Sequence, residues 1–490
     1  MASFVDNQKT CFDDLPEVIM YHMLTFCDSL TLAKAAPTSF FLHVLSRYLL
    51  TKTPNWRTLH LPAGNASGIA DAIKLTQQAV ESKITLCLFF ANNNSVLKGA
   101  AHAAKLLPKN AVALGCMSMT SASVANLPFF SDEQTAIEGS ATYGTVTLAN
   151  IPETDCVVFE IPNNKATSGD AMMAHTPKRS DGGAWNVIIL LIPRGGNPRA
   201  EYLNKLHAAN PGVEVIGGIH AGQTTFMLKE GVVTNNASIV GVCVGGNVVY
   251  SSQITRACRP LGGVSTVTRC GALKEGDPAD EDDGMALVME VLDEEGKRQM
   301  AVNGASKAYN GMQELGAGMI YAGITNDLNK GFSMRDVRGQ GGPGGNGLIV
   351  SGTVNDGDKL QYFTLCPDSS RQDLIGRLDA CRKRTTETAE QALGCVLISC
   401  AGRGENIYGK PHVESEIFAA QLPGVGMSGF FSGGEIGPQA RAMLPYDSTF
   451  RGRTALQEFT SVFGVFYVPR FLTPTAHVWE DAIKARTIIF

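Results

Sequence analysis

Three apolar runs that each break into glycine constrain this chain more than any other feature. Val112-Ala113-Leu114 leads into Gly115-Cys116-Met117-Ser118, and Val213-Glu214-Val215-Ile216 leads into Gly217-Gly218-Ile219-His220-Ala221-Gly222. Val396-Leu397-Ile398 leads into Ser399-Cys400-Ala401-Gly402-Arg403-Gly404. A short apolar run of this kind reads as a buried strand, and the glycine that follows supplies a positive φ or a close backbone approach. Helical stretches are expected between such strands, at Ala66 to Ser82, Asn92 to Leu107, Pro198 to Ala209 and Gln372 to Leu393. Alternating strands and helices predict α/β layers around buried sheet. Antiparallel pieces are expected too. Leu348 to Val354 and Lys359 to Leu365 flank Asn355-Asp356-Gly357-Asp358, a hairpin signal, and Ser238 to Cys243 and Asn247 to Ser252 flank Val244-Gly245-Gly246. The expected class is therefore α/β (mixed α+β), with mixed sheets.

Composition excludes several functions. With 490 residues, the chain should hold two or three domains at about 150 residues each. Its 41 Lys+Arg against 46 Asp+Glu give a net charge of -5, and its longest basic run is Arg382-Lys383-Arg384. Nucleic acid is not an expected partner, because phosphate neutralisation needs a concentrated basic face. The run Val187 to Ile192 is far shorter than the roughly 20 residues a membrane helix needs, so no membrane segment is expected. Met1 to Asp6 lacks the basic and apolar regions of a secretory signal. The 12 cysteines form no CxxC pair, and the odd offset of Cys395 and Cys400 puts them on opposite faces of a strand. Reduced thiols and a cytoplasmic or nuclear location follow. The histidines have no metal-ligand spacing, so no metal is expected.

Catalytic signatures are missing as well. Gly339-Gln340-Gly341-Gly342-Pro343-Gly344 satisfies GxGxxG by letter, but it stands in a loop stretch before a strand, so no dinucleotide site is expected. There is no phosphate-binding loop and no nucleophile elbow. No catalytic residue and no cofactor are expected, and the acidic stretch Glu275 to Asp283 reads as a surface loop.

The first 60 residues have a different character. Leu15, Ile19, Met23 and Phe26 recur at helical spacing, Asp13 and Asp14 precede Pro16, and Leu30, Ala33 and Ala36 continue the pattern. The order Leu15-Pro16, Val18-Ile19, Leu24, Leu30, Leu32-Ala33 and finally Trp56 resembles an F-box, although Phe40-Phe41-Leu42 stand where that family usually carries a basic residue and a tryptophan. The resemblance implies a helical module that docks on a Skp-family adaptor of a cullin-RING ubiquitin ligase. Leu15, Pro16, Val18, Ile19, Leu24, Leu30 and Leu32 would be its adaptor-binding residues. A helical hairpin packed on the next domain is the competing reading.

A second resemblance covers most of the remainder. Cys258-Arg259-Pro260-Leu261-Gly262, Met334-Arg335-Asp336-Val337, Gln361-Tyr362-Phe363, Ser399 to Gly404 and Gly433-Gly434-Glu435-Ile436-Gly437-Pro438 are similar to the ordered landmarks of the FIST C-terminal domain. Gly115-Cys116 and the Gly217 to Gly222 segment resemble the FIST N-terminal domain. The expected organisation is an F-box-like module at 1–62, FIST-like domains at 63–253 and 254–470, and a partly helical tail at 471–490.

The FIST resemblance implies small-ligand sensing, with amino-acid-like ligands. From the residues themselves, Arg403 between Gly402 and Gly404 could grip a carboxylate, and Glu435 beside Gly434 could hold an ammonium group. The alternative is that Arg403 and Glu435 lock turns by pairing with each other or with backbone. Cys400, in the same turn, could be a thiol of lowered pKa or an inert buried one. Two functions follow. One is a non-catalytic substrate receptor of an SCF-type ligase that captures an unknown target protein; the other is an intracellular small-molecule sensor without a ligase role.

Overall fold

The computed structural model describes residues 54–62, 84–92, 106–118, 121–125, 135–139, 143–272, 285–314, 319–328, 332–388, 390–438, 454–457 and 459–469. The helical segment at Leu15 to Leu32, the helix expected at Ala66 to Ser82, most of Asn92 to Leu107, the acidic stretch and the tail lie outside these residues.

Three chain segments repeat one topology. The first holds β1 (Asn55–Pro62), β2 (Leu86–Ala91), β3 (Val112–Met117), β4 (Ser121–Ala125), β5 (Thr135–Gly139) and β6 (Tyr143–Asn150). The second holds β7 (Thr154–Ile161), α1 (Gly169–Met173), β8 (Val187–Ile192), α2 (Ala200–Ala209), β9 (Glu214–Ile219), β10 (Thr225–Lys229), β11 (Val232–Asn236) and β12 (Ile239–Gly246). The third opens with β13 (Val249–Arg256) and is then interrupted. The insertion comprises β14 (Cys258–Ala272), β15 (Met285–Leu292), β16 (Arg298–Met300), α3 (Ala301–Glu314), β17 (Ile320–Thr325), β18 (Ser333–Gly341), β19 (Gly347–Ser351) and β20 (Lys359–Leu365). The third repeat resumes with α4 (Pro367–Glu387), β21 (Glu390–Cys400), α5 (Glu405–Tyr408), α6 (Val413–Gln421), β22 (Gly426–Ser432), β23 (Glu435–Pro438), β24 (Thr454–Gln457) and β25 (Thr460–Pro469).

Three six-stranded sheets have matching order: β1-β6-β2-β3-β10-β11, β7-β12-β8-β9-β23-β24 and β13-β25-β21-β22-β4-β5. In each, the central pair is parallel, β2 with β3, β8 with β9 and β21 with β22, and every other pairing is antiparallel. The terminal hairpin of each sheet comes from another repeat. The first repeat gives β4-β5 to the third sheet, the third gives β23-β24 to the second, and the second gives β10-β11 to the first. The exchange closes a ring, so the repeats are related by a pseudo-threefold axis.

Burial follows from this arrangement. Alternate residues of the parallel strands face a shared core, among them Leu88, Leu114, Ile189, Ile216, Val396 and Phe430. The intervening residues face outward. Ile188 and Leu190 pack with Tyr202 and Leu206 of α2, and Cys395 and Leu397 pack with Leu374 and Leu378 of α4 and Phe418 of α6. A strand buried on both faces must be apolar at every position, which is why these runs lack alternation.

One glycine recurs at the same place in each pair. Gly115, Gly217 and Gly429 stand opposite Phe89, Leu190 and Leu397, and a Cβ there would run into the partner's carbonyl oxygen and Cβ. Close backbone approach, rather than positive φ, requires glycine at these positions.

The insertion is a ring. β14, β20, β17, β18, β19 and β15 pair antiparallel in that order, and β14 bends to pair with β15 again. Ala301, Ala305, Ala308 and Met312 of α3 pack against it. All of this agrees with the mixed α/β class.

Several sequence expectations are corrected. Trp56 does not end a helical module; it lies in β1, 2% exposed, opposite Ala149, with its ring 5.0 Å from Phe466. Pairing with β6 over Asn55 to Pro62 places this segment in the first sheet, so the body begins before residue 63. Leu348 to Val354 and Lys359 to Leu365 do not form a hairpin, because β19 pairs with β18 and β15 while β20 pairs with β14 and β17. The Asn355 turn exists, with Asp358 N–H donating to Asn355 O, but it carries the chain across the ring. β12 and β13 likewise belong to different sheets, since the second repeat ends between them. The helix expected through Leu393 stops at Glu387, and Glu390 onward is drawn into pairing with β25.

Gly394→Ala would place a methyl within the Trp56 ring. The expected loss is about 1–3 kcal/mol of unfolding free energy by urea titration, against about 3–5 kcal/mol for Trp56→Ala.

Candidate functional site at the repeat axis

The carboxyl ends of the three parallel pairs meet at one end of the axis. Three residues after each recurrent glycine stand Ser118, His220 and Ser432, and all are buried. The residues just before them tie the repeats together. The Met117 carbonyl accepts from Gly222 N–H (3.2 Å), the Ile219 carbonyl from Gly433 N–H (2.7 Å), and the Phe431 carbonyl from Ser118 Oγ (2.6 Å). Each repeat therefore donates to another in a closed cycle. In open α/β sheets, ligands bind outside the carboxyl ends of the strands, and here three such ends coincide.

Glu435, in β23, is fully buried. Its carboxylate accepts from Ser432 Oγ (2.6 Å), Thr460 Oγ1 (3.0 Å) and Thr460 N–H (3.3 Å). Burial pushes its pKa up to about 8, despite these donors and the Arg403 charge. Gly434 O accepts from Ile219 N–H at 2.9 Å. Cys400 ends β21 and is 8% exposed, and burial with the neighbouring Glu435 carboxylate drives its thiol up to about 12. Of the two readings of Cys400, its surroundings favour the inert buried thiol: backbone N–H groups at Gly402 and Phe459 and the Arg403 charge work the other way, and they lose.

Arg403 belongs to a different structure from the one its sequence context suggested. Its side chain is fully buried, and Nε donates to Glu414 Oε1 at 2.7 Å. Its remaining nitrogens donate to Phe459 O, Thr255 Oγ1, Ser370 Oγ and Tyr408 Oη. The other Glu414 oxygen accepts from Ser399 Oγ and Ser461 Oγ. Burial alone would lower the Arg403 pKa, but Glu414 offsets it and holds the guanidinium charged. Arg403 and Glu435 therefore do not form a two-ended cradle for a zwitterion. Arg403 fastens β21 and the α5–α6 segment to β13, α4 and β25. Gly404, with φ of 62°, turns the chain out of this network against Phe431, while Gly402 lies beside Phe459 and Cys400.

His220 stands in the glycine-rich Gly217 to Gly222 turn, without metal-ligand spacing to another histidine or cysteine. It is 0% exposed, and its backbone N–H donates to Ile192 O (2.8 Å). Neither Nδ1 nor Nε2 has a hydrogen-bond partner among the described residues. Burial lowers its pKa to about 4, outweighing the Met117 backbone, which pulls the other way. The signal for His220 and Ser118 was present in the sequence, since both stand in the glycine-rich turns. What was hidden is that the turns converge. Among the described residues, no group of three or more His, Cys, Asp or Glu side chains could hold a metal ion, and no helix is long and apolar enough to cross a membrane.

Comparison with protein families decides the kinship. The FIST N domain model matches residues 85–276 and the FIST C domain model matches residues 291–438. The chain carries both FIST domains. FIST domains are small-ligand sensor-type domains. The break between the two matches falls in the inserted ring, so the FIST C match starts inside the third repeat. An uncharacterized Mycobacterium tuberculosis protein is 26% identical over 403 residues, spanning 75% of this chain and 95% of its own length. An uncharacterized Mycobacterium bovis protein is 26% identical over 269 residues, 52% of this chain and 61% of its own. Among solved structures, T. maritima PurL complexed with ATP aligns at 10% identity over 85% of this chain and 72% of that one, with a TM-score of 0.19, too low to bear on the fold.

Arg403→Met or Glu414→Gln should each remove about 3–5 kcal/mol of stability by denaturant titration, because the remaining partner stays buried and uncompensated. For Glu435, a pKa raised from 4.5 to about 8 means that the folded state binds more protons between those values, so its contribution to stability falls as pH rises. His220 acts oppositely from about 4 to 6.5, where the unfolded state binds more protons. Above pH 6.5 the His220 effect is spent while the Glu435 effect continues: it should lower stability from pH 6.5 to 8, and Glu435→Gln should flatten that limb in unfolding titrations.

Proposed function

We propose that this protein is a non-catalytic small-ligand sensor whose ligand sits at the axis, where the carboxyl ends of all three parallel pairs meet. The observation that carries the reading is that convergence, in which hydrogen bonds between repeats tie together the turns that carry Ser118, His220 and Ser432. The family favours the same reading. A ligand seated between repeats would contact all three sheets at once, and through the exchanged hairpins its binding energy would bear on the whole body. Binding to the folded state alone adds about 2.7 kcal/mol at a hundredfold excess over Kd. A thermal-shift screen of zwitterionic, anionic, cationic and uncharged small molecules should find a class that raises Tm dose-dependently. A flat response across every class would sink the reading.

A second reading is favoured by the helical spacing of Leu15, Ile19 and Leu24. In it, the N-terminal segment docks on a Skp-family adaptor, and the FIST body captures a target protein for a cullin-RING ligase, contributing proximity rather than chemistry. Copurification of the full chain with such an adaptor, lost in Leu15→Asp or Ile19→Asp, is the expected result. Adaptor retention by both variants would remove this reading and leave the sensor.

A further inference from the structure

The three equivalent residues at the axis differ in one respect. Ser118 Oγ is committed to the Phe431 carbonyl and Ser432 Oγ to the Glu435 carboxylate, whereas neither nitrogen of the fully buried His220 ring makes a hydrogen bond of normal geometry among the described residues, although the Met117 backbone lies near enough to act on the ring. A buried polar group left unmatched is costly, and native proteins rarely carry one without a reason. The ring is also adjustable from outside: a methyl at Gly222 would lie 3.3 Å from its Nδ1 and 2.9 Å from Met117 Cβ. Of Ser118, His220 and Ser432, His220 is thus the residue whose hydrogen-bonding capacity is least used among the described residues.

We propose that the axis site binds a small uncharged molecule bearing a carboxamide or hydroxyl group, and that His220 is the residue that hydrogen-bonds it. The inference rests on the sensor reading and narrows it. A neutral imidazole offers one donor and one acceptor. Hydroxyl and carboxamide groups can answer either. A carboxylate can only accept and an ammonium can only donate, so each suits only one of the two nitrogens.

Charge argues the same way. A carboxylate would need a cation, and Arg403, a buried one whose charge reaches Glu435, spends its donors on Glu414, Phe459, Thr255, Ser370 and Tyr408. An ammonium would need a free carboxylate, and that of Glu435 is already met by Ser432 and Thr460. A charged ligand would be desolvated here without a counter-ion, which is the costly case. With His220 held neutral and Glu435 pushed towards its neutral form, the surroundings carry little net charge near pH 7.

The test uses the full chain with acetamide and nicotinamide as uncharged probes and glycine and glutamate as charged ones. The amides should raise Tm dose-dependently and shift the His220 resonances in spectra of protein labelled with 15N-histidine. Glycine and glutamate should do neither. His220→Phe should weaken amide binding at least tenfold, and Gly222→Ala, which keeps every hydrogen-bonding group, should weaken it too. If His220→Phe does not fold, Gly222→Ala and the wild-type spectra decide. Stabilisation by glycine or glutamate instead, or amide binding that ignores both variants and leaves His220 unshifted, overturns this inference while the sensor reading stands. No response to any of the four probes overturns the inference, and the reading beneath it falls only if the wider screen is flat as well.

Discussion

The rest of the structure depends on the cycle of hydrogen bonds at the axis, in which the carbonyls of Met117, Ile219 and Phe431 each accept from another repeat. Parallel strands leave carbonyls unpaired at their carboxyl ends, and buried carbonyls must find donors. Three repeats solve this reciprocally. The cycle forces the three strand ends together, which sets the distance between sheets, and that distance sets the shared core on which Leu88, Ile189 and Val396 pack.

Hairpin exchange makes this mutual dependence topological. The first sheet is incomplete without β10-β11 from the second repeat, the second without β23-β24 and the third without β4-β5. No repeat can bury its own edge strand. Contacts such as Ser118 with Phe431, or Thr147 with Ser428, join residues far apart in sequence, so loop-closure entropy must be met before they reward the chain. The inserted ring tolerates its position because β14 leaves β13 and α4 re-enters at the same edge, where Arg256 N–H meets Asp373.

The Arg403–Glu414 pair acts at a smaller scale. A buried pair is weak support for stability by itself, but it penalises any arrangement that leaves either charge alone. With serine, threonine and tyrosine hydroxyls around both partners, it fixes how α5 and α6 seat on β21 and β25. The turn that carries Cys400 towards the axis is held by that seating.

The sequence by itself determined the strands, because a strand covered on both faces must be apolar throughout; Val187 to Ile192 and Val396 to Ile398 were readable for that reason. It also marked Gly115 to Ser118, Gly217 to Gly222 and Ser399 to Gly404 as special turns, since glycine there answers a local demand. It left open what Arg403 pairs with, and it gave His220 no distinction. Partnership is a property of distance, and Glu414, Thr255 and Phe459 reach Arg403 from separate parts of the chain. The expected hairpin at Asn355 failed similarly: a turn is local, but which strand lies beside which depends on ring closure. Only the tertiary structure decided that three separate turns are one place, because the symmetry relating them lies in how the strands pair across sheets.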